Sequence, residues 1–218
     1  LHYPPTRLLA LENTHNYCMG SPIQPEYMQK ASALAKKHNL KIHVDGARIF
    51  NAAVALEVNV KDLVTDVDSV MFCLSKGLSA PVGSVVCGNK EFINKARKLR
   101  KMVGGGMRQS GHMAAAGIIA LNELVKTLKK DHYNAQFLAK GLARLKGIIL
   151  DPKLIKTNII FFRIKHDKIN ADMFLKKMED QGIKILAIQP GLFRAVLHRE
   201  ISESQVERVI RVSEEITK

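Results

Sequence analysis

The pattern that most constrains this chain is a strand, a helix and a second strand, read in that order up to Asp45. Residues 8–11 form a short apolar run that predicts a strand. Pro25 opens a stretch in which Tyr27, Met28, Ala31, Leu34, Ala35 and His38 recur at three and four, and Asn39 is a suitable stop. Residues 41–44 predict the next strand, which runs into Asp45. Two strands joined through a helix lie parallel, and a parallel sheet needs helical cover. The expectation is therefore an α/β fold with a mainly parallel sheet.

Further strands are expected at residues 69–74 and 82–86. Between residues 92 and 99, Phe92, Ile93, Ala96 and Leu99 mark the apolar face of a helix. Its other face carries Lys95, Arg97, Lys98, Arg100 and Lys101, and Gly104-Gly105-Gly106 ends it. A long helical segment is expected over about residues 111–145, with a break near Asp131. The pattern then restarts with strands at 158–164, 183–186 and 192–196 and a helix at 170–181. Ser202 and Gln205 form a capping box for the last helix, with Ile201 and Val206 placed as its hydrophobic staple. This layout divides the chain into a large domain over 1–125, a linking helix over 126–150 and a small α/β domain over 151–218.

Composition excludes some classes of function. The net charge is +14, but the densest basic run sits on a helix face, where solvation explains it. Zinc-finger spacings and basic–aromatic ladders are lacking, so no nucleic-acid partner is expected. No apolar run reaches the roughly 18 residues that span a bilayer, so no membrane association is expected. Cys18, Cys73 and Cys87 form no CxxC pair, which argues for a reducing compartment, most simply the cytoplasm. No carboxylate–histidine spacing reads as a metal site. A start at Leu1 suggests a cut or processed end.

Two polar residues follow predicted parallel strands: Asp45, and Lys76 after Val70-Met71-Phe72-Cys73-Leu74-Ser75. Ligands of open α/β sheets bind outside the carboxyl ends of the strands. A lysine there can form a Schiff base with a carbonyl cofactor when its amine is neutral. A carboxylate facing a pyridine nitrogen keeps that nitrogen protonated and the ring an electron acceptor. Taken alone, each residue reads more simply as the first polar residue of a loop.

Four motifs in order carry a resemblance. They are Glu12-Asn13-Thr14-His15-Asn16, His43-Val44-Asp45-Gly46-Ala47-Arg48, Cys73-Leu74-Ser75-Lys76-Gly77-Leu78 and Gly104-Gly105-Gly106-Met107-Arg108-Gln109. Together they resemble the low-specificity L-threonine aldolases, among the fold-type I pyridoxal-phosphate enzymes. The resemblance implies the C-terminal portion of that fold, with a small C-terminal α/β domain. It implies that Lys76 carries pyridoxal phosphate, Asp45 faces its ring nitrogen, and Lys101 and Arg108 line the site near its phosphate. Arg48 and Arg194 would bind the substrate carboxylate, and His2 would act at the substrate β-hydroxyl. Leu197 and Glu200 depart from the threonine and aspartate frequent in the family. The family's upstream phosphate-cradling loop and ring-stacking side chain are not identifiable here. The implied reaction is cleavage of threonine or allo-threonine to glycine and acetaldehyde, by a homo-oligomer of two or four copies. A β-eliminating lyase of the same fold, or a non-catalytic fragment, stays open as an alternative.

Overall fold

The computed structural model describes residues 2–218, which divide into two compact units. One comprises the residues up to Thr14 together with Pro22–Lys126; the other comprises His15–Ser21 and Thr127–Lys218.

The first unit is built on a four-stranded sheet of β1 (Leu8–Glu12), β2 (Lys41–Asp45), β3 (Ser69–Cys73) and β4 (Ser84–Gly88), in that spatial order. The first three strands are parallel, and β4 returns antiparallel. Helix α1 (Pro25–Lys37) begins with proline in its first turn, where no intrahelical donor is lost, and stops before Asn39, which takes the left-handed conformation at φ 55°. Strand β2 alternates, with Ile42 and Val44 buried and His43 and Asp45 half-buried on the other face. Val44 meets Met28 of α1 and Ile49, Ala52 and Ala53 of α2 (Ile49–Leu56) in one core cluster.

Helix α3 (Lys90–Met102) has the expected amphipathic pattern, and Asn89 caps it by accepting the Phe92 N–H at 2.8 Å. None of its residues is buried, and Phe92 and Leu99 stand exposed. Among the described residues nothing packs fully over its apolar face.

The expected break near Asp131 lies earlier. Helix α4 (Gly111–Ile119) widens into a π-turn over Ala120–Leu124 and tightens into a 3-10 turn over Val125–Thr127 before α5 (Leu128–Leu142). Asp131 stays helical because the buried face of α5, Leu128, Ala135, Leu138, Ala139 and Leu142, extends on both sides of it.

The second unit is an antiparallel sheet ordered β5 (Ile148–Ile149), β6 (Ile159–Ile164), β8 (Leu192–Val196) and β7 (Leu186–Gln189). Its core joins Leu138 and Leu142 of α5, Phe174 and Met178 of α6 (Ala171–Asp180), and Val206 and Val212 of α7 (Glu203–Thr217) to Phe162 and Phe193 of the sheet. Phe162, Phe174 and Phe193 form a three-way ring cluster with centroids 5.4–6.2 Å apart. Each such pair adds about 0.5–1.5 kcal/mol beyond burial. The capping box of α7 is present: Gln205 N donates to Ser202 Oγ at 3.2 Å, and Ser202 N donates to Gln205 Oε1 at 2.8 Å.

The strand expected at 183–186 starts at Leu186 instead. Gly182, at φ 71°, and Ile183 close the end of α6: Gly182 N donates to Glu179 O and Ile183 N to Met178 O. This is a Schellman cap, and it ties the Ile183 N–H to the helix. Residues 15–21 are held to this unit where Thr157 Oγ1 donates to Gly20 O at 2.8 Å. A Cβ on Gly20 would collide with that same Thr157 hydroxyl.

Helix α5 also buries a carboxyl. Asp131 is 1% exposed, and burial pushes its pKa up to about 6 against the opposing charges of Lys130 and Arg199. Burial pushes the neighbouring His132 down to about 4. Between these values the native protein holds a proton on Asp131 that the unfolded chain has released, so stability falls as pH rises. At His132 the unfolded chain binds the proton that the native state refuses, so stability rises with pH over the same window. The two slopes oppose, each at most about 1.4 kcal/mol per pH unit. Relative to the unsubstituted protein, Asp131→Asn should make stability climb more steeply with pH, and His132→Gln should make it fall. Urea unfolding across the window checks this; parallel profiles for the two variants would contradict it.

Candidate active site

The parallel strands bring Glu12, Asp45 and Cys73 to the carboxyl edge of the first unit's sheet, where Glu12 pairs with Asp45 and Asp45 with Met71. Asp45 Oδ1 accepts the Ala47 N–H at 3.0 Å, which turns the chain directly after the strand. Gly46 makes that turn feasible: its N–H donates to Met71 O at 2.8 Å, and a Cβ there would lie 2.7 Å from that carbonyl. Ile49 N then donates to Gly46 O, and Arg48 becomes the N-cap of α2. Asp45 and Arg48, both half-buried, thus leave the sheet edge within one tight turn. The edge is tied down next door, where Asn13 N donates to Asp45 O at 2.9 Å and the buried Asn13 side chain bonds both N and O of Ile23. On the Asp45 face of β2, His43 Nδ1 lies 2.8 Å from Ser69 Oγ, a pair that motif reading did not single out.

Lys76 sits on the loop that follows β3. Leu74 N donates to Gly83 O at 2.9 Å and Ala80 N to Leu74 O at 3.0 Å, closing the base of that loop. Ser79 N donates to Lys76 O at 2.9 Å, Leu78 and Ala80 are buried, and Ser75 and Lys76 are left exposed. The sequence places apolar anchors on either side of the lysine, and so the amine is carried on a pinned loop.

Lys101 lies in the last turn of α3 and Arg108 just beyond the glycine turn that follows it, and both are exposed. Gly105 N donates to Arg100 O at 2.7 Å, and a Cβ on Gly106 would come 2.6 Å from Lys101 Nζ. The missing side chain of Gly106 therefore lets the Lys101 ammonium lie against the turn. His2 lies exposed, outside any helix or strand. In the second unit, Arg194 stands mid-sheet on β8, opposite Phe161 on one side and Leu186 on the other. It is half-buried, and its Nε is buried without a hydrogen-bond partner among the described residues.

Asp45 and Arg48 therefore follow one strand and Lys76 the adjacent parallel one, at the same edge of the sheet, while Lys101 ends α3 and Arg108 follows its glycine turn. A beta-eliminating lyase family profile matches residues 1–165. The chain belongs to that family. It is 45% identical to low-specificity L-threonine aldolase 1 of Arabidopsis thaliana, over 94% of this chain and 57% of the relative. It is 41% identical to the low specificity L-threonine aldolase of Escherichia coli K12, over 96% of this chain and 60% of the relative. The chain spans about three-fifths of the length of these relatives.

Solved structures bear out the α/β fold class of the fold-type I enzymes. A threonine aldolase from Leishmania major superposes with a TM-score of 0.77 at 17% identity, over 97% of this chain and 61% of that one. A serine palmitoyltransferase from Sphingomonas wittichii superposes with a TM-score of 0.74 at 23% identity, over 98% of this chain and 56% of that one.

Proposed function

We propose that the complete protein cleaves β-hydroxy-α-amino acids, threonine and allo-threonine foremost, to glycine and an aldehyde, using pyridoxal phosphate at Lys76. The observation that carries this reading is a lysine on a pinned loop beside a strand-end carboxylate and arginine. The similarity to the plant and bacterial threonine aldolases supports that substrate class. These residues fit the cofactor's chemistry: Lys76 offers the amine, Asp45 a carboxylate for the ring nitrogen, and Lys101 and Arg108 positive charge for the phosphate.

When bound, pyridoxal phosphate accepts the electron pair left at the substrate α-carbon as the Cα–Cβ bond breaks. The protein's part is binding, orientation and proton handling. Arg48 and Arg194 present planar guanidinium forks suited to the two oxygens of the substrate carboxylate. That grip fixes the substrate's orientation, and orientation supplies a large share of the rate. Asp45 keeps the ring nitrogen protonated. The His2 imidazole accepts the β-hydroxyl proton as a general base.

In this reading the protein works as a homo-oligomer of two or four copies in the cytoplasm. Its three cysteines are free, and no helix among the described residues is long and apolar enough to cross a membrane. Product analysis is the test. Incubation of the complete protein with threonine should yield glycine and acetaldehyde in equal amounts. Pyruvate and ammonia from serine or cysteine derivatives, without aldehyde, would instead make it a β-eliminating lyase. A protein left colourless after soaking with the cofactor would favour a non-catalytic chain.

A further inference from the structure

We propose that Asn134 and Asn158 are positioning residues for Arg194, setting the guanidinium by fixing the turn into which its strand runs. The inference rests on Arg194 holding the substrate carboxylate. On its β7 side, β8 is paired only from Leu192 to Arg194, so the strand beyond the arginine depends on β6 and on the turn at its end. That turn starts at Leu197, buried in the core, passes through the exposed residues His198, Arg199 and Glu200, and ends at Ile201.

Each end of this segment is held by one buried asparagine. Asn158, 3% exposed, grips Leu197 twice: its backbone O accepts the Leu197 N–H at 2.9 Å, and its Nδ2 donates to Leu197 O at 2.8 Å. Asn134, 1% exposed on α5, donates from Nδ2 to Ile201 O at 2.9 Å. Ile201 N donates to His198 O at 2.8 Å, which closes the turn between the two clamps. Both targets are carbonyl oxygens, so only a side chain that donates will serve; aspartate would not.

Stability alone does not explain Asn134. Its Oδ1 is buried with no hydrogen-bond partner among the described residues, and so is Oδ2 of Asp131 one helical turn earlier. An unsatisfied buried acceptor costs about as much as a good hydrogen bond contributes. An apolar residue of the same shape would remove that orphaned acceptor while leaving Ile201 O without its donor, so the two effects on folding offset in part while the Ile201 end of the turn is released.

The experiment uses the complete protein and reads kcat, KM for threonine and melting temperature. Arg194→Lys should raise KM. Asn134→Leu should raise KM about tenfold, with kcat within about threefold and melting temperature within a few degrees. Asn134→Gln, which restores the donor, should recover part of the affinity. In the Arg194→Lys background, Asn134→Leu should raise KM no further, because the two act through one contact. If Arg194→Lys leaves KM unchanged, the assignment of Arg194 fails and the positioning role falls with it. If Arg194→Lys raises KM but Asn134→Leu does not, or the two effects multiply, the positioning role alone is overturned. Should Asn134→Leu not fold, the same comparisons are made with Asn134→Ala; a KM unchanged there overturns the proposal equally.

Discussion

Replacing Lys76 with alanine in the complete protein should abolish turnover of threonine, by at least about a thousandfold, while leaving the fold intact. Lys76 is exposed, and the loop that carries it is closed by backbone bonds from Leu74, Ser79 and Ala80, with Leu78 and Ala80 as its buried anchors. None of those contacts uses the lysine side chain. The melting temperature should therefore stay close to that of the unsubstituted protein, and the visible absorbance of tightly bound cofactor should be lost. A variant that keeps both colour and rate would mean that a different lysine holds the cofactor.

The second large effect is expected at Arg48. Removing one partner of a desolvated, charge-assisted pair costs about 2–5 kcal/mol, or roughly 30-fold to several thousandfold in kcat/KM. Arg48→Leu should show this loss chiefly in KM, because in the proposed role Arg48 grips the carboxylate in the ground state and the transition state alike. Arg48→Lys keeps the charge but loses the planar fork, so a loss of about tenfold is expected there. Steady-state kinetics on threonine check both. An Arg48→Leu variant with unchanged KM would remove Arg48 from substrate binding.

Much of this architecture was legible because the residues that carry it act locally. Pro25 and Asn39 bound α1, and Ser202 with Gln205 starts α7, each through bonds within a few residues of chain. The strand ends placed Asp45 and Lys76 on one edge. The start of β7 was not legible, because the Ile183 N–H is used by the cap of α6 rather than by the sheet. Nor was the burial of α3: its apolar period is real, but a period cannot say whether a neighbour covers it. The clamps on the turn after Arg194 are hidden for another reason. Asn158 reaches Leu197 across 39 residues and Asn134 reaches Ile201 across 67, and no spacing rule connects them.

Every step of the proposed chemistry depends on Lys76 being the residue that holds the cofactor. Borohydride reduction of the complete protein loaded with pyridoxal phosphate, followed by proteolysis and mass spectrometry, reads that residue directly. The expected result is one reduced pyridoxyl group per chain, on the peptide containing Cys73-Leu74-Ser75-Lys76. A label on any other lysine, or none after full loading, would contradict it.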